Sequence, residues 1–405
     1  MTDRDQPPDR ARPPVHLVDT ALSLAASAVH SALETPEQSR PKVAVVLSGG
    51  IGLGAYQAGA VARLVEAGRW RPDWLAGSSI GAVNAALIAG GPPETSVDRL
   101  RRFWEAVARP EPLALLPFLN EGPWRHASNW MSVMQTRMFG NSRLFRPLLP
   151  FERAARPVPS LYDLTPQREL LQELVDFDRL NDGAMRISLV ATDILSGEEV
   201  IFDTQRSARI GVEHILASSG FVPDFAPVEI EGRLLGDGGF SANAPISAVL
   251  LDEAATDDLV CFVVDLFARD SGPPRSLEAG MARRMDLMYS SQTQLGLKSF
   301  EREARLRALI NQLGARLPPD LQEDPEIAAV LGEGRARSAT VLYLSYRAPD
   351  EEAGYEKPFD VSRATMSDRW QAGARDMAEA LRTLTQVRKD GGPPTPGARV
   401  HKIRC

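Results

Sequence analysis

The chain has 405 residues, 43% of them hydrophobic, which is typical of a globular protein with one large domain or two. Its net charge of −7 and the lack of a basic cluster exclude nucleic acid as the expected partner. Two cysteines are too few for a disulfide framework, and the charged, proline-rich first residues lack the apolar run of a signal peptide. We therefore expect a cytoplasmic protein, with peripheral membrane contact left open.

Residues 1–41 are expected to form a partly disordered tail. Within it, Val18–Leu33 is an amphipathic stretch that we interpret as a mobile arm or a helix packed on the body, with membrane contact as the alternative. No apolar stretch of the sequence approaches the roughly 20 residues that a membrane-spanning helix needs.

Regular structure is predicted to begin with a buried strand over Lys42–Leu47, a β-branched apolar run. A helix is expected over Ala55–Ala67, with Gly68 as its C-terminal cap. A short strand over Trp74–Ala76 and a helix of small residues over Ala82–Ala89 follow. Two successive strand–turn–helix units predict an α/β layered fold around a largely parallel sheet.

The remaining elements are less evenly spaced. Further strands are predicted over Met185–Asp193, Glu199–Phe202, Leu259–Phe267 and Ala339–Ser345, and helices over Leu277–Leu313 and Ser362–Val387. The break at Ser271–Pro274 divides a main domain over 42–270, with an irregular insertion or cap over 92–180, from a mainly helical extension over 271–405. Gly391–Gly397 is expected to be a flexible terminus.

A serine flanked by glycines follows the second strand, in the run Gly77-Ser78-Ser79-Ile80-Gly81. This G-x-S-x-G pattern is typical of an elbow in which the serine sits on a tight strand-to-helix turn, and the crowded backbone there requires glycine on either side. The alternative is a glycine–serine turn whose hydroxyl caps the helix. On the first interpretation Ser79 is a nucleophile.

A glycine-rich loop, Ser48–Gly54, follows the first strand. Its backbone N–H groups could converge on one anion, which suits a phosphate or a tetrahedral oxyanion equally well. The spacing from Gly50 is G-x-G-x-G and not that of a dinucleotide-binding loop, and the Gly-Lys-Ser/Thr ending of a P-loop is missing. Because the serine elbow follows at once, we favour an oxyanion.

The base that would activate Ser79 is not an evident histidine. His401 lies in the frayed terminus, His214 in a helical run and His126 in the irregular insertion, so none suggests a catalytic triad. Asp237 stands among glycines and could accept the proton directly, giving a serine–aspartate dyad. The alternative for Asp237 is an ordinary turn aspartate.

These motifs, in this order, closely resemble those of the patatin-like phospholipases. The resemblance rests on LSGGIGLGAYQAGAV from Leu47, the GSSIG elbow and the DGG turn. It is supported by Ala217–Ser219, Phe225–Val228 and Asn243–Pro245, and it spans about residues 42–267. Segments further along resemble a bacterial subgroup that carries a C-terminal extension.

The resemblance implies a three-layer α/β/α fold with a central, mostly parallel sheet, and hydrolysis of lipid acyl esters without a metal or organic cofactor. The residues that it implies at the site are Ser79 and Asp237 as the catalytic pair, Gly49, Gly50, Ile51 and Gly52 in the oxyanion loop, Gly77 and Gly81 in the elbow, and Gly238 and Gly239 in the DGG turn. The expected partner is a lipid or acyl-ester substrate, while the oligomeric state is not indicated.

Two departures from the family loop, commonly GGGxRG, concern the substrate. Ile51 replaces the third glycine, and backbone donors survive that change provided that the φ angle of Ile51 stays negative. Leu53 replaces the basic residue, so phospholipid preference is less well supported than ester hydrolysis.

Two other functions stay open at this point. The altered loop is compatible with a non-catalytic lipid-binding or scaffold protein on the same fold, and the same chemistry could serve a carboxylesterase or thioesterase acting on small soluble esters. The segment Pro110–Phe151 is rich in leucine, methionine and aromatic residues. It could line an acyl-chain groove or form a lipid-facing lid, or it could fill a side core.

Overall fold

The computed structural model describes residues 40–109, 122–206, 208–252, 258–334, 338–349, 352, 354–390 and 397–403. The predicted amphipathic stretch Val18–Leu33, almost all of the predicted N-terminal tail, and the first part of the apolar segment, residues 110–121, lie outside the described residues. From Lys42 onward the chain forms one compact unit.

A central sheet of nine strands organises this unit. The strands of the structure are β1 (Lys42–Leu47), β2 (Trp74–Ser78), β3 (Arg146–Pro147), β4 (Tyr162–Asp163), β5 (Arg186–Asp193), β6 (Glu199–Asp203), β7 (Val228–Ile230), β8 (Arg233–Asp237), β9 (Leu259–Asp265), β10 (Ser338–Ser345) and β11 (Gly397–Lys402). The order in the sheet is β11-β10-β9-β1-β2-β5-β8-β7, with β6 also paired to β5, while β3 and β4 form a separate ribbon. The pairs from β11 to β5 are parallel, and those made by β6, β7 and β8 are antiparallel. The mostly parallel sheet is therefore confirmed.

Helices cover both faces of the sheet. They are α1 (Gly54–Glu66), α2 (Ile80–Ala89), α3 (Ser96–Val107), α4 (Gly122–Phe139), α5 (Pro150–Ala154), α6 (Thr165–Leu174), α7 (Phe177–Leu180), α8 (Val212–Ser218), α9 (Ile246–Leu250), α10 (Leu277–Gly314), α11 (Pro319–Gln322), α12 (Pro325–Glu333) and α13 (Arg363–Asp390). Along β1, Val43 and Val45 belong to the core beneath α1, α2 and α13, whereas Ala44 and Val46 belong to the core beneath α9 and α10. This alternation follows from the two-residue period of a strand and produces three layers, α/β/α.

The C-terminal part shares this framework. It supplies β10 and β11 to the sheet. Its helix α13 also packs against α1 with the two backbones in close contact. A Cβ added to Gly59 would lie 2.0 Å from the carbonyl oxygen of Trp370, and one added to Gly373 would lie 1.9 Å from the carbonyl oxygen of Tyr56. The residues beyond 270 therefore extend the same sheet and the same cores, besides being mainly helical as expected.

Two expectations about the irregular regions were wrong. The range 92–180 contains five helices, α3 to α7, among its described residues. Residues 391–396 of the expected flexible terminus lie outside the described residues, but Gly397 and His401 belong to β11, which pairs in parallel with β10. An edge strand of this kind depends on a partner that lies far away in the sequence, and the short run GARVHK has no strong pattern of its own.

Candidate active site

Ser79 lies on the turn between β2 and α2. Its backbone adopts a φ angle of 55°, and its side chain makes no capping hydrogen bond to α2, which excludes the helix-cap interpretation. A Cβ added to Gly77 would lie 2.5 Å from the backbone of Gly81, and one added to Gly81 would lie 2.1 Å from the carbonyl oxygen of Leu47. The steric reason for glycine at both elbow positions is thus confirmed.

The register of β5 brings Asp237 to this elbow. Along one edge of β5, Val190 pairs with Ser78 of β2, and the next residue, Ala191, pairs with Asp237 of β8. The other edge of β5 is occupied by β6. Because β8 takes the place of β2 where β2 ends, the last residue of β8 arrives beside the residue that follows β2.

The carboxylate of Asp237 is buried, with 3% of the residue exposed, and accepts hydrogen bonds from the Ser79 hydroxyl and from the Gly239 N–H at 2.7 Å. Burial raises its pKa to about 6, and the two hydrogen bonds oppose this rise. Among the described residues it forms no salt bridge with an arginine or lysine. Asp237 is therefore more than a turn aspartate: it is a buried anion that contacts a serine hydroxyl.

Tyr289 of α10 lies close to this pair. Burial, and secondly the negative charge of Asp237, raise the pKa of Tyr289 to about 12. The phenol therefore stays protonated at neutral pH. Ser218 of α8 supports the elbow from the other side: its hydroxyl accepts the N–H of Ser79 at 2.9 Å and donates to the carbonyl of Val190 at 2.6 Å.

The glycine loop faces Ser79 but differs from the expectation in two ways. The N–H of Gly49 donates to the carbonyl of Asn243 at 3.0 Å, so this donor is already used. Among the described residues, no acceptor takes the N–H of Gly50 or Ile51. The condition on Ile51 was wrong: its φ angle is +48°, the left-handed region that a glycine would adopt without strain.

The remaining loop positions are held by close packing. A Cβ added to Gly49 would lie 3.0 Å from the Cβ of Ser79, and one added to Gly52 would lie 2.8 Å from the carbonyl oxygen of Pro358. Leu53 is fully buried in the core, so the place of the family's basic residue is occupied by an apolar side chain. The short helix Gly354–Phe359, from the C-terminal part, therefore supports the loop from behind.

A cavity of about 260 Å³ opens at Ser79. Most of its wall is apolar. The C-terminal part contributes Met281, Met285, Tyr289, Tyr355 and Phe359. Nothing in the local sequence around these residues indicated a role at the site, since each reaches the cavity only through long-range packing.

Two arginines also line the cavity. Arg137 of α4 pairs with Asp224 at 2.6 Å and with Glu356 at 2.9 Å. Arg284 of α10 is exposed and, within the described part of the chain, makes no ion pair. The loop lacks the family's basic residue, but Arg284 provides a positive charge in the cavity wall that no described acid neutralises.

The described part of the apolar segment Pro110–Phe151 contains both buried and exposed apolar side chains. Leu144 and Phe145 are buried and line the cavity. Trp124, Met131 and Met138 are 62%, 51% and 61% exposed. Part of the segment is thus core and cavity wall, and part is exposed on α4.

None of the described histidines lines the cavity. His214 accepts the N–H of Gly211 and packs edge-to-face against Phe202, and burial lowers its pKa, which agrees with an ordinary partly buried histidine. Within the described ranges no group of three or more His, Cys, Asp or Glu side chains is arranged to hold a metal ion. No helix in those ranges is both long and apolar enough to cross a bilayer.

A family profile described as patatin-like phospholipase matches residues 45–250, more than half of the chain, including the loop, the elbow and Asp237. The chain belongs to the patatin-like phospholipase family. A second profile, DUF3734, described as patatin phospholipase, matches residues 287–391. The C-terminal part of this patatin-like phospholipase is therefore also a known family segment, and the protein is a lipid acyl hydrolase.

The solved structures similar to this chain include two bacterial proteins. VipD from Legionella pneumophila is 12% identical, with 86% of this chain and 76% of that chain covered and a TM-score of 0.32. ExoU from Pseudomonas aeruginosa, solved in complex with SpcU, is 18% identical, with 71% and 60% covered and a TM-score of 0.25. Comparison with curated proteins gives no match.

Proposed function

We propose that this patatin-like phospholipase hydrolyses lipid acyl esters with Ser79 as nucleophile and Asp237 as its general base. The observation that carries the proposal is the hydrogen bond from the Ser79 hydroxyl to a buried carboxylate without a cationic partner among the described residues. Its pKa of about 6 leaves this carboxylate ionised at neutral pH and more basic than an exposed aspartate.

In the proposed mechanism, Asp237 accepts the proton of Ser79 while Oγ attacks the ester carbonyl. The N–H groups of Gly50 and Ile51 stabilise the oxyanion, while Gly49 holds the loop against Asn243. The protonated Asp237 then gives its proton to the leaving alcohol. Water attacks the acyl-enzyme with Asp237 again as base, and the fatty acid is released.

The apolar cavity supports a long acyl chain as the group bound next to Ser79. The exposed apolar side chains of α4 support peripheral contact with a lipid surface. Arg284 at the cavity wall supports preference for a phosphate-bearing lipid over a neutral one, since Arg137 is neutralised by Asp224 and Glu356.

The chemistry is tested by reaction with a fluorophosphonate probe and location of the adduct by mass spectrometry. We expect labelling of Ser79, none in Ser79→Ala, and labelling slowed by at least about 100-fold in Asp237→Asn, the scale of a lost general base. A folded wild-type protein that does not react would overturn the proposal and favour the non-catalytic lipid-binding scaffold.

The substrate is tested with esters of increasing chain length, with and without micelles, and with phospholipids against neutral diacylglycerols. Faster turnover of long chains above the critical micelle concentration is the expected result. Equal turnover of short soluble esters, with no response to micelles, would instead identify a small-ester carboxylesterase or thioesterase.

A further inference from the structure

Asn243 lies between the two parts of the site. Its backbone carbonyl accepts the N–H of Gly49 at 3.0 Å, and its own N–H donates to Oε1 of Gln292 at 3.1 Å, so its main chain is held from both sides. Its Oδ1 is 2.7 Å from the position of a Cβ on Gly49 and 3.0 Å from that of a Cβ on Gly239. The side chain therefore fills the space between the glycine loop and the turn of Asp237.

The same carboxamide is adjacent to the nucleophile. The Cβ position above Gly49 that lies 2.7 Å from Asn243 Oδ1 also lies 3.0 Å from the Cβ of Ser79. Ser79, Asp237 and Asn243 all line the one cavity. Asn243 is 2% exposed, so its side chain is almost completely buried.

The Nδ2 of Asn243 has no hydrogen-bond partner among the described residues, although it is buried. Leaving a buried amide donor unpaired is destabilising, because the group loses its hydrogen bonds to water and gains none in return. Asn84 of α2, a fully buried asparagine outside the cavity wall, shows the usual arrangement. Its Nδ2 donates to Gly54 and Gln57, and its Oδ1 accepts from Trp104. Because Asn243 lines the cavity, a bound substrate is the partner that this donor can find.

We propose that the Asn243 side chain is a third oxyanion donor, with Nδ2–H directed at the oxygen that becomes negative when Ser79 attacks the acyl carbonyl. The inference rests on the proposed hydrolase chemistry. It also adds a donor to a site with an altered loop, in which the Gly49 N–H is already bound to the Asn243 carbonyl. An uncharged donor adds stabilisation without lowering the pKa of Asp237 as an arginine would.

The decisive variants are Asn243→Ala and Asn243→Asp. The first removes the carboxamide, and the second keeps its shape while replacing the donor by an acceptor. Each should lower kcat about 100- to 1000-fold, the effect of losing one oxyanion donor, with KM changed less than about threefold. The acid limb of the pH profile of Asn243→Ala should keep its wild-type midpoint, because Asp237 is untouched.

A long-chain alkyl trifluoromethyl ketone forms an oxyanion on the serine. Its affinity therefore reports on oxyanion stabilisation and would not respond selectively to the loss of a merely structural residue. Its affinity should fall in parallel with kcat, while the affinity of the matching unreactive alkyl amide should not. Asn84→Asp is the control, because the same change at a fully paired asparagine should lower thermal stability without changing kcat of the folded protein.

The outcomes separate the two proposals. If the wild type is inactive and Ser79 unreactive, the hydrolase proposal fails. If the wild type is active through Ser79 and a folded Asn243→Ala keeps kcat within about threefold, the inference about Asn243 fails alone. A shifted pH midpoint, or equal losses of ketone and amide affinity, would also overturn it in favour of a structural role. If Asn243→Ala does not fold, Asn243→Asp is judged by kcat and by the ketone and amide affinities, and not by the pH midpoint, because its new carboxylate would itself raise the pKa of Asp237.

Discussion

Two buried carboxylates of this molecule have opposite surroundings. Asp237, at the active site, accepts hydrogen bonds from Ser79 and Gly239 and has no cationic partner among the described residues; burial raises its pKa to about 6. Glu352, in the C-terminal part, accepts Nε of Arg369 at 3.0 Å and Nη2 at 2.8 Å. Burial would raise the pKa of Glu352 too, but the charge and hydrogen bonds of Arg369 outweigh it and hold the pKa below its usual value.

The difference shows what makes a buried acid reactive. A carboxylate paired with a buried arginine stays ionised and serves the fold, whereas an unpaired one keeps its basicity. Basicity alone is insufficient, because burial also raises the pKa of Asp265 to about 6, and Asp265 does not line the cavity. Among the acids of the described residues, only Asp237 combines a raised pKa with contact to a serine at this cavity.

Replacing Arg369 by methionine should have the largest effect on stability. The change leaves Glu352 buried and unpaired, which costs about 3–5 kcal/mol in the free energy of unfolding. Arg382→Met is the matched control on the same helix, since its pair with Glu379 is exposed and contributes less than about 1 kcal/mol. Urea unfolding of both variants measures the difference, and equal losses would contradict a special role for the buried pair.

Asp237→Asn should stabilise the protein while removing activity. The folded-state pKa of Asp237 is raised, so the folded protein binds this proton more tightly than the unfolded chain, and stability falls as pH rises from about 4 to about 6. Asparagine cannot ionise and escapes that loss. We expect a gain of about 1–3 kcal/mol at pH 8 and none at pH 3.5, measured by unfolding at both values.

Glu352→Gln is the counterpart of that experiment. It removes the negative charge that pairs with Arg369. The variant should be less stable at pH 8, because the pKa of Glu352 is lowered and its ionised form supports the fold. If Asp237→Asn and Glu352→Gln both stabilised the protein, or if neither did, the proposed difference between the two carboxylates would be wrong.

Activity should follow the ionisation of Asp237. With a pKa of about 6, kcat/KM should be level above pH 7 and fall about tenfold per pH unit below pH 6, so that pH 5 costs about 1.4 kcal/mol of activation free energy. Initial rates across pH 4.5–8.5, corrected for the folded fraction, provide the test. A profile that stays level down to pH 5 would exclude Asp237 as the base.

The smallest expected effect concerns the glycine loop that faces Ser79. Ile51 holds a φ angle of +48°, which costs a side-chain-bearing residue about 1–2 kcal/mol, and glycine escapes this strain at an entropic cost of about 0.5–1 kcal/mol. Ile51→Gly should therefore be more stable than Ile51→Ala by about 1 kcal/mol in thermal unfolding. The opposite order would mean that the left-handed conformation is not a source of strain.

Much of the candidate active site was predictable, because the steric and packing constraints on its motifs act within a few residues. The elbow glycines follow from backbone crowding within five residues, and β1, β2 and α1 follow from short apolar patterns that need no partner to be recognised. Asp237 was proposed as the catalytic acid from its glycine neighbours and from the lack of a suitable histidine. The α/β layered fold around a largely parallel sheet followed from successive strand–turn–helix units, and its three-layer form was implied by the resemblance to the patatin-like phospholipases.

Other features exist only through contacts between distant segments. The junction of β2 and β8 along β5 buries Asp237 beside Ser79, the C-terminal part closes the cavity with Met281 and Tyr289, and β11 forms only against β10. The left-handed Ile51 likewise belongs to a packed loop.

By itself, then, the sequence determined which residue types could do the chemistry and the order in which they occur, because turn sterics and hydrophobic periodicity act over a few residues. The tertiary structure alone decided which carboxylate is left without a cation and which amide is left without a partner, because burial and pairing depend on segments that are far apart in the chain.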